Sequence, residues 1–343
     1  MANWRQRQIA FRAAAPRQQP RPEEDQMRTI ALEEHFLAAS DTLPPRMGGG
    51  LPPEVSAALS DLGAGRIAAM DQAGIDVQVL SHNVIGGGGA DWRERWPRFA
   101  REANDQLAEA ISARPDRFAG FATLPMSDPE AAAAELRRTV TEHGFKGPMI
   151  NGLTEGRFLD HADFRPVLRA AADLGVPVYL HPGLPPEPVR AAYYSGLNDG
   201  ANFALATAAW GWHQEAGLHS LRLIMSGVFD ELPGLQVIIG HMGEMIPFML
   251  ARSEERLTPA AGHLKLGVAE YFHRNFHITT SGFFTMPPFL TALHTVSVDR
   301  ILFSVDYPYS TNTRGRDFLD SLPLSPDEVA KISHRNAETL LGL

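Results

Sequence analysis

Eight short apolar runs, each separated from the next by a stretch with helical grammar, constrain this chain more than anything else in it. The runs cover 29–36, 77–83, 118–125, 145–150, 177–181, 235–242, 275–281 and 301–308. Between them lie helix signals. Ser127-Asp128-Pro129-Glu130 places a cap, a proline and an acid ahead of an alanine-rich run that ends at Gly144, and Ser325-Pro326-Asp327-Glu328 repeats the pattern. Strands that alternate with helices make parallel sheets, because each crossover returns the chain to the same end. Eight of them predict an α/β fold closed as a (β/α)8 TIM barrel. At 343 residues the chain is long enough, since such a barrel uses about 250 residues or more. Two long insertions, 37–60 after the first strand and 183–215 after the fifth, fall at C-terminal strand ends, the face where barrel active sites form.

Polar residues interrupt these runs at that same end. Glu33 and His35 are two apart on the first strand, so a period of two points both inward and Glu34 outward. His181 ends the fifth strand, His241 the sixth within Gly-His-Met-Gly-Glu, and Asp306 the eighth within Ser-Val-Asp-Tyr-Pro. Singly, each reads as an ordinary turn or core residue. Together, four strands deliver histidines and carboxylates to one mouth, where burial without partners would cost several kcal/mol apiece. A divalent cation is the simplest compensation. There is no cysteine, so thiolate ligands, disulfides and a cysteine nucleophile are all excluded. Imidazole with carboxylate suits Zn2+ first, and also Mn2+ or Fe2+.

The net charge is −9 without a basic block, which leaves no footprint for nucleic acid. No run approaches the roughly 18 apolar residues of a membrane span. Residues 1–27, rich in Arg, Gln and Pro, read as a flexible N-terminal extension without a signal-peptide core, and 28–343 as one metal-dependent barrel domain. Cytoplasmic location is the default expectation.

The order of motifs resembles the amidohydrolase superfamily, in the branch of aminocarboxymuconate-semialdehyde decarboxylase and the dihydroxybenzoate (γ-resorcylate, 5-carboxyvanillate) decarboxylases. The matching segments are ALEEHF at 31–36, MDQAGIDVQVLS at 70–81, RPDRFAGFATLP at 114–125, YLHP at 179–182, the stretch 221–244 ending GHMGE, ITTSG at 278–282 and ILFSVDYP at 301–308. The resemblance implies that Glu33, His35, His181 and Asp306 ligate one divalent metal, with His241 and Glu244 beside it as catalytic groups. It also implies that Arg252, and more weakly Arg66, meets a substrate carboxylate. The activity implied is non-oxidative decarboxylation of a hydroxylated aromatic or related unsaturated acid, with Asp306 as proton donor. The same ligands would equally serve a hydrolase of esters, lactones, amides or C–C bonds that uses a metal-bound hydroxide. A homodimer or higher homo-oligomer is expected, because symmetric dimers are the commonest soluble assembly.

The sequence departs from those decarboxylases in the Gly86–Gly89 run after the second strand, in Gly48-Gly49-Gly50, and in Phe283-Phe284 after ITTSG, which makes that wall more apolar. His82 is an extra histidine near the same face. Trp210 and Trp212 read either as a lid over an aromatic ligand or as subunit contacts.

Overall fold

The computed structural model describes residues 27–39, 51–83 and 92–343. The N-terminal extension (apart from Met27), Gly48–Gly50 and the glycine loop 84–89 therefore lie outside the described residues. Eight strands occur in the expected order. They are β1 (Ile30–Phe36), β2 (Val77–His82), β3 (Phe118–Gly120), β4 (Met149–Asn151), β5 (Val178–His181), β6 (Val237–Ile239), β7 (Phe276–Thr279) and β8 (Ile301–Leu302). Hydrogen bonding joins consecutive strands in two parallel sets, β1 through β3 and β4 through β8. Two parallel bridges, Ala122 with Pro148 and Leu32 with Ser304, connect the edges of these sets. The architecture is the (β/α)8 barrel that the alternation predicts.

Several ladders are shorter than the apolar runs, for identifiable reasons. β4 starts at Met149 and not 145, because Gly147 sits at φ +124° and Pro148 has no N–H to donate. β6 and β8 end short of His241, Met242 and Asp306, whose left-handed backbone turns the chain out of the extended conformation. The helix grammar holds. Asp128 accepts the Ala131 N–H and caps the helix Pro129–His143, Gly144 closes it at φ +69°, and Ser325 with Glu328 forms a full capping box.

Two apolar cores separate inside from outside. Ile30 and Leu32, Val77 and Val79, Ala119 and Phe121, Met149, Tyr179, Ile238 and Leu302 fill the lumen, and Ala337 and Leu341 of the C-terminal helix close its floor. The alternate residues, such as Ala31, Leu80, Val178, Leu180 and Val237, pack under the surrounding helices. This alternation creates a conflict on β1. If Ile30 and Leu32 face inward, a strict period of two turns Glu33 and His35 outward. The chain resolves it with a bulge: three steps along β1, Ala31 to Glu34, match two along β2, Gln78 to Leu80. Glu33 takes φ +63° there. The extra residue brings Glu33 and His35 into the lumen and sends Glu34 to the outer side, as expected, but Glu34 does not reach solvent and is fully buried.

Two buried histidines away from the barrel mouth make the fold sensitive to acid. His219 accepts the Leu159 N–H at Nε2 (2.7 Å), and burial holds the ring down to about 4. Burial and the neighbouring Arg300 hold His277 down to about 3. Below its ordinary value of 6.5, the unfolded chain binds protons that the folded chain refuses, so stability is lost as pH falls from 6.5 toward 4. His219→Gln keeps an acceptor for the Leu159 N–H without titrating. Thermal melts at pH 7 and pH 4.5 should show a smaller acid-induced drop for the variant, by about 2 kcal/mol. An identical drop in both proteins would refute this account of His219.

Candidate active site

The C-terminal mouth gathers six of the expected residues. His35 Nε2 lies 3.3 Å from Asp306 Oδ1, His181 Nε2 lies 3.3 Å from Glu33 Oε1, and His241 Nε2 lies 3.5 Å from the same oxygen and 4.0 Å from Asp306 Oδ2. Ligand atoms of Glu33, His35 and His181 all lie within 4.8 Å of one another. A cation with bonds of about 2.0–2.2 Å spans such gaps.

Each imidazole is turned by its second nitrogen. His181 Nδ1 faces the Pro182 carbonyl at 2.8 Å, and a carbonyl only accepts, so Nδ1 carries the proton and Nε2 offers its lone pair to the cluster. His35 Nδ1 is held by the Ser81 hydroxyl at 3.1 Å, which leaves its Nε2 facing Asp306. His241 Nδ1 bonds Glu244 Oε1 at 2.6 Å. Such outer contacts orient metal ligands and fix their tautomers.

Glu33 is the best indicator of what the site takes. It is fully buried. Its Oε2 accepts a hydrogen bond from the Tyr179 hydroxyl, whereas Oε1 has no hydrogen bond of proper geometry among the described residues. Burial would raise this carboxyl, but His241, His181 and His35 outweigh it and hold Glu33 well below the ordinary carboxylate range. A buried, ionised oxygen without a hydrogen bond, ringed by three imidazoles, fits a cation site. Across the lumen, Gly240 leaves the room: a Cβ there would stand 2.8 Å from Glu33 Oε2.

A second cluster, His213, His241 and Glu244, also has metal-like spacing. Its contacts are those of a hydrogen-bonded chain instead. Glu244 Oε1 bonds His241 Nδ1 and Glu244 Oε2 bonds His213 Nδ1 (2.7 Å), while His213 Nε2 donates to the Ala208 carbonyl (2.9 Å). Burial would depress His241, but Glu244, Glu33 and Asp306 prevail and push it up to about 10. Burial likewise opposes the ionised form of Glu244, yet His241 and His213 lower its pKa.

The arginines behave differently from expectation. Arg66 is fully buried, and its guanidinium donates to the carbonyls of His35 (2.6 Å), Asp61 (2.8 Å) and Ala58 (3.1 Å) and to Gln78 Oε1 (3.2 Å). With four of its five N–H donors on protein acceptors and its face over the Tyr307 ring (4.9 Å), Arg66 braces the backbone beside His35. Arg252 is exposed and pairs with Glu255. His82 packs between Phe36 and Phe99, each ring 5.5 Å away. Trp212 stands edge-on to His181 (6.4 Å) and Phe283 edge-on to His213 (5.1 Å), so both help wall the mouth, whereas Trp210 is largely exposed.

Sequence reasoning missed Tyr179, Ser81 and His213. For Tyr179 the signal was there, two residues before His181 on the same strand and so on the same side. His213 gave none, because a helix of the second insertion carries it to Glu244.

The amidohydrolase family profile matches residues 35–343. The chain is 39% identical over 330 residues to a γ-resorcylate decarboxylase of Rhodococcus jostii, covering 92% of this chain and 98% of that one. A dihydroxybenzoic acid decarboxylase from Polaromonas sp., solved with manganese and the inhibitor 2-nitroresorcinol, superposes with a TM-score of 0.84 at 37% identity, covering 92% of this chain and 97% of that one. A 5-carboxyvanillate decarboxylase from Novosphingobium aromaticivorans, solved with manganese and 4-hydroxy-3-methoxy-5-nitrobenzoic acid, gives 0.85 at 30% identity, with 96% and 100% covered.

Gly240→Ala tests the room left for Glu33. The added methyl should displace that carboxylate and weaken divalent-cation affinity by roughly tenfold or more, read by titration calorimetry. Unaltered affinity would mean that Glu33 does not contribute to a cation site.

Proposed function

This chain belongs to the amidohydrolase family, and on that premise we propose how its residues divide the labour of the reaction. It is a metal-dependent, non-oxidative decarboxylase of a hydroxylated aromatic carboxylic acid. The observation that carries this is the match along nearly its whole length to aromatic-acid decarboxylases. The hydrolase alternative, which the ligands alone allow, has no comparable support.

Glu33, His35, His181 and Asp306 hold one divalent cation. Manganese is the ion proposed, in place of the zinc that the donor types first favoured, because two relatives were solved with manganese and a mixed imidazole–carboxylate set accepts it. When bound, the cation supplies Lewis-acid stabilisation of negative charge on the substrate's oxygens. The substrate proposed is a benzoate with a hydroxyl ortho to its carboxylate, which presents two oxygens side by side and so fixes the ring's orientation.

Loss of CO2 from an arene would leave an aryl anion, so the ring carbon must gain a proton as the bond breaks. Asp306 is the proton donor proposed: its Oδ1 lies 3.3 Å from His35 Nε2, at the rim of the cluster, and it is the least buried of the four ligands. The proton adds to the carbon that bears the carboxylate. The C–C electron pair then returns to the ring as CO2 leaves, and solvent reprotonates Asp306. His241, its Nδ1 committed to Glu244, presents Nε2 to the phenolic hydroxyl as a hydrogen-bond partner. Phe283 and Trp212 supply apolar walls for the ring.

Catalysis is assigned to residues 28–343 and a cytoplasmic location is proposed; among the described residues no helix is long and apolar enough to cross a membrane. A homo-oligomer is proposed as well, supported by large exposed apolar residues, among them Tyr193, Leu197 and Phe248.

In D2O, turnover of 2,6-dihydroxybenzoate should release CO2 and place one deuterium on the product ring. Asp306→Asn should lower kcat by about 10^3-fold, within the range that proton transfer contributes. Turnover surviving that substitution would remove Asp306 as the donor, and ester cleavage without CO2 would restore the hydrolase.

A further inference from the structure

Glu34 is a buried acid that the reaction above leaves idle. Its Oε1 accepts the Val305 N–H (2.9 Å) and its Oε2 accepts the Tyr307 N–H (3.2 Å). Those residues flank Asp306, which itself stands at φ +68°. In a regular parallel ladder, N–H groups of β8 and its extension would go to β1 carbonyls. Here bridging between the two strands ends at Leu32–Ser304, and the next backbone bond between them runs from the His35 N–H to the Tyr307 carbonyl (2.7 Å). The bulge at Glu33 lies in that gap, and the Glu34 carboxyl supplies the acceptors that the ladder lacks.

We infer that Glu34 is a positioning residue for Asp306, clamping the N–H on each side and so holding the left-handed turn that aims the Asp306 carboxylate at His35 Nε2. The inference rests on the role proposed above for Asp306. Left-handed backbone is disfavoured for any residue with a Cβ, so the turn persists only where its neighbours are tied. The socket around Glu34 is built for an acid. The Ser304 hydroxyl and the Gln78 amide approach its oxygens at 3.5 Å, and Gln78 in turn accepts from Arg66, which also holds the His35 carbonyl. One buried acid and one buried arginine thus brace Asp306 and His35 from behind.

Glu34→Gln tests the clamp at constant size. A carboxyl oxygen accepts whether or not the group is protonated, whereas an amide nitrogen never does, so the variant can hold only one of the two N–H groups. With misplacement of about an ångström, kcat should fall roughly 10–100-fold while KM changes less than about threefold. Mn2+ affinity should weaken about tenfold, read by the electron paramagnetic resonance of free Mn2+, and amide exchange over residues 303–309 should quicken. In an Asp306→Asn background the same change should alter Mn2+ affinity less than about twofold, because the clamp acts only through that carboxylate. A lowered Tm with unchanged Mn2+ affinity and kcat, or a full additive penalty in the double variant, would overturn the proposal. Should Glu34→Gln not fold, Gln78→Met removes the amide that leans on Glu34, and losses of the same sign but smaller size are expected; wild-type Mn2+ affinity and exchange there would count against the clamp. Wild-type affinity and turnover in Asp306→Asn alone would instead sink the role of Asp306, and the clamp's purpose with it.

Discussion

A barrel closes only where its last strand meets its first, and here the same two strands must also deliver Glu33, His35 and Asp306 to one point. A regular ladder cannot do both. Its period of two commits Ile30 and Leu32 to the lumen and would put Glu33 and His35 among the helices. One left-handed residue, Glu33 at φ +63°, inserts an extra step and reverses the facing of all that follows on β1. Left-handed backbone costs roughly 1–2 kcal/mol for a residue with a side chain, and His241 and Asp306 carry the same penalty. The packed lumen beneath, from Ile30 to Leu302, supplies the stability that offsets it.

Glu33, Glu244 and Glu34, all buried near the mouth, carry the same carboxyl group and differ in their partners. Glu33 faces three imidazoles and keeps one oxygen without a hydrogen bond, which suits a cation. Glu244 has an imidazole Nδ1 on each oxygen and links two histidines. Glu34 has backbone N–H groups on both oxygens and holds a turn. Removing the partners of Glu33 or Glu244 would leave a desolvated charge uncompensated, at a cost of several kcal/mol, whereas burial pushes Glu34 up to about 8 despite its backbone donors. Partner geometry, more than residue type, separates these roles.

This explains what could be read from the sequence and what could not. The barrel was legible because eight apolar runs and their caps repeat one grammar. The convergence of Glu33, His35, His181, His241 and Asp306 was legible too, since each sits at the C-terminal end of a run. The route by which Glu33 and His35 face inward was not, because alternation alone contradicts the apolar pattern beneath them and a bulge leaves no residue signature here. The surroundings of Arg66 were not legible for a related reason: nothing in its helix shows that its guanidinium turns inward, to the carbonyls of His35, Asp61 and Ala58. His213 reaches Glu244 from a helix of the second insertion, and no local pattern encodes such a contact.

The seam also bears on which reaction such a mouth performs. Glu33, His35, His181 and Asp306 would serve a hydrolase as readily as a decarboxylase, so ligand identity cannot separate the two. Hydrolysis asks the aspartate to take a proton from a water that the cation already holds in place. Decarboxylation asks it to deliver a proton to one carbon of a rigid ring, and an error of about an ångström there is expensive. An Asp306 tied through both flanking amides, at a mouth walled by Phe283 and Trp212, suits the more exacting task. Under this reading the strain at the closure of the barrel is where the choice of chemistry resides.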